Sequence, residues 1–309
     1  MTKFDILVVG DYCLDYIITG LTSLPELGKE IVGTGFIQTP GGACNSVIAM
    51  HRLGLKVGWL TNFGNDMYSH YILEELRKEG ISEDHFRFHD RPHRKITVSL
   101  SYPQDRAFIA YYDPDPLITS EIRNLPSASG KALYAPGLYL GREFDLLLPL
   151  IKAKKWKLVM DGNTNAAHTI KEKRVVKVLK SLDLFLCNAR EARFLTGEND
   201  LEAALLILGE HVPEVVIKNG ANGAIGCKNG QYIHSKGIKI TPVDTTGAGD
   251  CFNAGYLKIW MTGGSQSDAL EWGNIVGGLS TASPGGVGRI IRCDDVEKFM
   301  RKKQKIWKT

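Results

Sequence analysis

The chain reads as an α/β protein, a three-layer sandwich around a mostly parallel central sheet. Two observations predict this. Short, continuous apolar runs recur along the 309 residues, each ending in a turn. Between them lie segments with the apolar spacing of amphipathic helices. Strands buried on both faces, alternating with helices, imply right-handed crossovers and helices on either side of a parallel sheet.

The predicted sheet strands are, in order, Ile6–Val9, Ala132–Ala135, Leu158–Met160, Leu184–Cys187 and Val215–Ile217. Among the helices, Tyr68, Ile72 and Leu76 share one face, with Gly80 placed as a C-cap. Val175, Val178, Leu179 and Leu182 form a second stripe. Residues 12–18, 30–38, 95–101 and 107–112 break this rhythm. Lys95–Ser101 alternates with period two, and Asp105-Arg106 falls where a turn would lead into the next segment. Pattern alone fits these four pieces equally to a small separate sheet or to edge strands of the main one. No internal repeat or low-complexity linker divides the chain, so residues 1–309 are taken as a single domain.

Composition narrows the classes of function. Hydrophobic residues make up 43% and charged residues 23%, enough apolar surface for a large core. The net charge of +4 fits a small anionic ligand as well as it fits anything larger. Arg301, Lys302, Lys303, Lys305 and Lys308 cluster at the end of the chain. Without a basic stripe or interleaved aromatics, they read as the solvated end of a last helix rather than a nucleic-acid or membrane surface. Cys13, Cys44, Cys187, Cys227, Cys251 and Cys293 are scattered with no C-x-x-C pair, which predicts a reducing compartment and neither a disulfide framework nor a zinc site. His51, His168 and the other histidines show no metal-ligand spacing. The opening MTKFDILVVGD is too short for a signal peptide, and no apolar stretch approaches the ~20 residues of a membrane span. A cytoplasmic protein is expected.

Polar residues follow the apolar runs in a pattern. Ile6–Val9 leads into Asp11 and Asp15, Leu158–Met160 into Asp161, Gly162 and Asn163, Leu184–Cys187 into Asn188 and Glu191, and Val215–Ile217 into Lys218, Asn219 and Gly220. In a parallel sheet these groups converge on the rim where ligands bind. The sharpest local feature is Asp244-Thr245-Thr246-Gly247-Ala248-Gly249-Asp250, running into the helical stretch CFNAGYLKIWM. A loop of small residues at a helix N-terminus is an anion site. An aspartate inside such a turn either caps the helix or serves as a base for an attacking hydroxyl.

The motifs select between these. The GAGD that opens a helix after Asp244-Thr245-Thr246 resembles the C-terminal signature of ribokinase-like carbohydrate kinases. Pro40-Gly41-Gly42-Ala43-Cys44-Asn45, followed by a helix ending at Arg52-Leu53-Gly54, resembles their N-terminal signature. Asn188-Ala189-Arg190-Glu191 is similar to their N-x-x-E motif. The three stand in family order from about residue 5 to about residue 290. Competing motifs are absent: there is no G-x-x-x-x-G-K-[ST], G-x-G-x-x-G, H-E-x-x-H or G-x-S-x-G.

The resemblance implies an ATP- and Mg2+-dependent kinase acting on an alcohol group of a sugar or sugar acid. Asp250 would accept the hydroxyl proton, with the amides of Gly247, Ala248 and Gly249 facing the transferred phosphoryl group. Asn188 and Glu191 would hold Mg2+ and the triphosphate, Glu191 through water, although a first-turn glutamate also suits the helix dipole. Lys218, Gly220 and Gly223 fall at the nucleotide loop. Many members carry threonine or serine where Lys218 stands, so phosphate contact and a solvated strand end are both open. Asn274 would flank the adenine or be an ordinary surface residue. Asp15, Gly41, Gly42 and Asn45 match the sugar-binding residues, with Asp11 either joining them or solvated. The GG-x-x-N spacing is one residue shorter than that of ribokinase itself, which argues against assigning ribose outright. Asp244 and Thr246, with Pro284–Gly288, resemble the monovalent-cation (K+) site of some relatives, whose ligands would be backbone carbonyls. The four half-exposed segments would form the family's small antiparallel β lid, which pairs two subunits in some members and predicts a homodimer.

Three rival readings remain at this stage. A nucleoside acceptor would stack on Tyr12, Tyr16 or Phe36, which otherwise serve lid packing. A phosphosugar acceptor would call for arginines, with Arg94, Arg106 and Arg142 as candidates. A non-catalytic sensor of sugar or nucleotide could keep the fold.

Overall fold

A computed structural model describes residues 3–102, 106–113, 125–163 and 168–306. The five predicted strands form within one residue at either end, as β1 (Ile6–Val9), β8 (Ala132–Ala135), β9 (Lys157–Asp161), β10 (Leu184–Asn188) and β11 (Glu214–Lys218). They lie at the centre of a nine-stranded sheet that also holds β4 (Val57–Phe63), β5 (Phe86–Phe88), β12 (Ala224–Lys228) and β13 (Gln231–Ser235). The order is β13-β12-β11-β10-β9-β8-β1-β4-β5, parallel throughout except for the hairpin β11-β12-β13 at one edge.

Alternation along each strand divides the core. Ile6 and Val8 of β1 enter one apolar layer, and Leu7 and Val9 enter the other. The first layer is completed by helices α1 (Ala43–Arg52), α2 (Met67–Glu79), α7 (Ala248–Met261), α8 (Gln266–Ser280) and α9 (Cys293–Ile306). The second is completed by α3 (Arg142–Lys154), α4 (Lys173–Leu179), α5 (Ala189–Thr196) and α6 (Leu201–Gly209). This is the expected three-layer sandwich. Helix α4 stops at Leu179, and Leu182 is buried in the turn beyond it. Helix α2 is capped as expected by Gly80 in the left-handed conformation.

The four half-exposed segments form a separate sheet, β3-β2-β6-β7, from β2 (Tyr12–Thr19), β3 (Gly35–Gly42), β6 (Lys95–Ser101) and β7 (Arg106–Tyr112). Its outer pairings are antiparallel and its middle pair, β2 with β6, is parallel. Strand β3 starts five residues later than the expected 30–38 and runs on through Pro40-Gly41-Gly42. Proline is tolerated there because β3 is an edge strand, with only β2 as its neighbour. Asp105, placed in the turn before β7, and Lys308 of the terminal basic cluster lie outside the described residues.

Candidate active site

Strand β1 has β4 on one side and β8 on the other, so the chain direction of the crossovers reverses there. Ligand crevices in open α/β sheets form at such a switch point. A cavity of about 350 Å³ opens there, lined among others by Asp11, Gly42, Lys95, Tyr112, Tyr139 and Asn163. A second cavity of about 230 Å³ is more apolar and lies over the N-terminus of α7. Its lining includes Lys218, Gly220, Gly223, Ala248, Gly249, Phe252 and Asn274.

Asp250 lies in the first turn of α7 and is partly buried. The helix starts at Gly247, whose φ of +65° suits glycine. A Cβ at Gly247 would also fall 2.5 Å from the Gly286 Cα. The Cys251 amide donates to the Gly247 carbonyl at 2.9 Å, and the Ala248 amide turns back onto Thr245 at 3.3 Å. The amides of Gly249 and Asp250 find no backbone acceptor among the described residues, as the first turn of a helix requires. The Gly247 amide likewise has no backbone acceptor among the described residues, so Gly247, Gly249 and Asp250 leave their amides open at this turn. Ser46 on α1 donates its hydroxyl to Asp250 Oδ1 at 2.8 Å. Burial pushes the Asp250 carboxyl up to about 6. The Ser46 hydrogen bond and the Lys218 charge oppose that shift, and the Asp161 charge adds to it. A carboxyl so placed is a weak cap and an effective base near neutrality.

Lys218 is partly buried and is no solvated strand end. Its Nζ donates to Asp161 Oδ2 at 2.7 Å and to Asn253 Oδ1 at 3.1 Å. Asn253 Nδ2 also reaches Asp161 Oδ2 (2.6 Å) and the Tyr134 hydroxyl (3.0 Å). Asn188 and Glu191 form a capping box at the start of α5. The Glu191 amide donates to Asn188 Oδ1 at 2.9 Å, and the Asn188 amide to Glu191 Oε2 at 2.8 Å. Burial, with the Asp161 charge behind it, raises the Glu191 carboxyl above the usual range, against the pull of Lys218. Asn274 is buried at the cavity wall, where its Nδ2 donates to the Ser235 hydroxyl (3.0 Å) and carbonyl (3.1 Å). Neither a surface residue nor an unengaged purine contact, it ties α8 to the end of β13.

On the other side of Asp250, Asp15 is buried on β2, and burial pushes its carboxyl up to about 7. The Cys13 thiol opposes that shift, while the charges of Asp250 and Asp244 add to it. Gly41 lies against this carboxylate so closely that a Cβ would overlap Asp15 Oδ2. Asn45 is buried between Gly247 and Gly286, with Oδ1 lacking a hydrogen-bond partner. Asp11 is not simply solvated: Lys95 Nζ approaches its Oδ2 at 2.9 Å, and the buried His93 stands 3.4 Å from its Oδ1.

Several expectations are corrected. Tyr12 is buried, stacked 5.1 Å from Phe63, with its hydroxyl on Ser69 and the His93 carbonyl. Tyr16 and Phe36 stack on each other at 5.6 Å. Tyr12 is enclosed by its partners, while Tyr16 and Phe36 pack on each other in the lid sheet with Phe36 exposed. Arg94 is exposed and paired bidentately with Asp113, and Arg142 is exposed at the start of α3. Only Arg106 of the three arginines reaches the site, at Asp244. His168 pairs with Glu172 at 3.2 Å. The six cysteines are free thiols, and no group of three or more potential metal-ligating residues occurs among the described residues. No helix among them is long and apolar enough to cross a membrane.

Sequence reasoning missed Ser46, Lys95, His93 and Asn253. Asn253 alone carried a local signal, lying three residues after Asp250 on the same face of α7.

A lidded α/β sandwich with a helix-capped anion site beside an ionisable carboxyl defines a phosphotransferase with an alcohol acceptor. The chain belongs to the family described as pfkB family carbohydrate kinase, whose model matches residues 3–290. It is similar to the ribokinase of Bacillus subtilis, 26% identical over 96% of this chain and 99% of that one. It is also similar to the probable fructokinase-5 of Arabidopsis thaliana, 25% identical over 96% of this chain and 97% of that one. A solved structure described as a putative ribokinase II from E. coli in complex with ATP and Mg2+ superimposes with a TM-score of 0.78 at 20% identity, covering 97% of this chain and 99% of that one.

Proposed function

We propose that the protein is a single-domain kinase that moves the γ-phosphoryl group of ATP to an alcohol of a sugar or sugar acid. The observation that carries this is the place of Asp250. It stands between an apolar cavity fitted to a nucleotide and the acceptor-side residues Ser46, Asn45 and Asp15. The acceptor oxygen attacks the γ-phosphorus, its proton passes to Asp250, and the β–γ bridging oxygen leaves with ADP. The free amides at the N-terminus of α7 and the Lys218 ammonium stabilise the charge that builds on the phosphoryl oxygens. Lys218 is held at that position by Asp161 and Asn253.

The donor set fits Mg2+. Asp161 and Glu191 are carboxylates around Lys218, which lines the nucleotide-side cavity, and the raised Glu191 carboxyl marks a partly buried acid that a cation would stabilise. When bound, Mg2+ would neutralise and orient the triphosphate. On the acceptor side, Asp15 and Asp11 accept hydroxyl hydrogens, while Lys95 gives the pocket a cation that suits a sugar acid. A sugar is favoured over a nucleoside because the candidate stacking rings are engaged with one another. Catalysis is favoured over sensing because the base and its anion hole are both intact.

Strand β7 supports a homodimer through the lid. Among the described residues it is an edge strand with no second neighbour, and Phe108, Ile109, Tyr111 and Tyr112 are all exposed on it. Six free cysteine thiols fit a reducing, cytoplasmic setting.

The test is ADP release from Mg-ATP across a panel of sugars, sugar acids and nucleosides. Asp250→Ala should lower turnover on the active acceptor by about 10²- to 10⁴-fold while leaving Mg-ATP binding intact. A variant that turns over at the wild-type rate would sink the base assignment. Release seen only with nucleosides would replace the sugar.

A further inference from the structure

The side chains at the expected monovalent-cation site are already engaged. Asp244 is buried, and both of its carboxylate oxygens already have donors. Oδ1 accepts from the Thr246 amide (2.9 Å) and the Thr246 hydroxyl (2.7 Å), and Oδ2 from the Gly285 amide (2.8 Å). The positive charge beside them is a guanidinium. Arg106 Nη1 lies 2.5 Å from Thr246 Oγ1 and 3.4 Å from Asp244 Oδ1. Arg106 is the first residue of β7, so this charge arrives from the lid. Its guanidinium also lies 5.5 Å from the centre of the Phe108 ring.

We infer that Arg106 is a built-in cation, delivered by the lid to Asp244 and Thr246, that positions the loop of the anion hole without a monovalent metal ion. The inference rests on the kinase reading for its functional meaning. Asp244 clamps two segments, the turn through Thr246 and the loop at Gly285. Gly286, next along that loop, lies against Gly247 and Asn45. A displaced Asp244 therefore moves the start of α7. A buried carboxylate keeps its charge and place only with a counter-charge nearby. Arginine is protonated at every accessible pH, so this counter-charge does not depend on the salt present. Arg106 is a positioning residue, since it acts through Asp244 and Thr246.

Thermal melting and Mg-ATP binding by calorimetry, each in potassium chloride and in tetramethylammonium chloride at equal ionic strength, test this. The proteins are the wild type, Arg106→Met, which keeps the apolar stem over Phe108, Arg106→Lys and Asp250→Ala. The wild type should melt and bind alike in both salts. Arg106→Met should melt several degrees lower and bind Mg-ATP about tenfold more weakly in tetramethylammonium, with part of both losses recovered in potassium. Arg106→Lys should stay close to the wild type. A wild type that gains stability or affinity in potassium overturns the inference. So does an Arg106→Met protein that matches the wild type, or one whose losses potassium does not relieve. If Arg106→Met does not fold, Arg106→Lys decides: indifference to potassium supports the built-in cation, and a potassium response overturns it. Asp250→Ala should answer to salt as the wild type does. Failure of the kinase reading would appear separately, as absent turnover in a protein whose melting still reports on Arg106.

Discussion

Two carboxyls at the centre of the site are held above their ordinary range by burial, Asp250 at about 6 and Asp15 at about 7. In the proposed reaction Asp250 must be ionised to take a proton, and Asp15 must be ionised to accept two hydroxyl hydrogens. Both are disabled by protonation, so activity is lost as pH falls. The acceptor kcat/KM should drop below about pH 7 with a slope approaching two protons, and kcat alone should follow Asp250 near pH 6. A pH–rate profile checks this, and a flat profile between pH 5 and 7 would contradict it. At this scale the sequence revealed the groups that sit inside motifs: Asp250, Asn188, Glu191, Lys218, Asp15. It did not reveal Lys95 and His93, which reach Asp11 from about eighty residues further along the chain. Neither did it show that Asn274 spends its amide on Ser235, because a side chain's partner is set by the fold and not by its neighbours in sequence.

Elements were legible where the pattern was uniform. The five central strands carry unbroken apolar runs. Strand β4 was not legible, because Gly58, Thr61 and Asn62 interrupt a segment that is nonetheless buried throughout. Asn62 is reconciled with burial by His89, 2.8 Å away. The β12–β13 hairpin did carry a signal that was passed over, the Asn229-Gly230 pair, both residues with positive φ. The lid strands were legible from their alternation, but the parallel pairing of β2 with β6 was not, since period two is the same for either direction. Strand β7 presents Ile109 at 62% exposure on an edge that is unpaired among the described residues. If the proposed dimer forms through this edge, Ile109→Lys should shift it to monomer by light scattering with little change in melting temperature, because a charge on an exposed edge disfavours strand addition. An unchanged mass for wild type and variant would remove the dimer.

For the molecule as a whole, the site opposes the fold. Asp250 binds its proton more tightly folded (about 6) than unfolded (3.8), so the folded state holds more protons between those values and loses stability as pH rises through them. The cost is fully present above about pH 6 and absent below about pH 4. Asp250→Asn removes it. The variant should therefore melt above the wild type by a margin that opens between about pH 4 and pH 6 and then levels, on the order of 3 kcal/mol at most. A margin constant with pH would show that the carboxyl is not strained. The sandwich itself was visible in the sequence because a core of this size depends on repeated patterning. The relation between sandwich and lid was not, and it carries a consequence for how ligand and motion are linked. The chain crosses from β1 into β2 over only Gly10 and Asp11, and β3 runs into α1 with no residue between Gly42 and Ala43. Tyr12 and Gly42 are paired in register, so the two crossings lie side by side and define one hinge axis. That axis passes through Asp11 and Gly42, which are proposed to bind the acceptor. The lid cannot swing without turning Asp11 and Gly42, and an acceptor cannot settle on them without fixing the swing. Acceptor affinity and lid position are then one equilibrium, and substitutions at the hinge should move KM and kcat together.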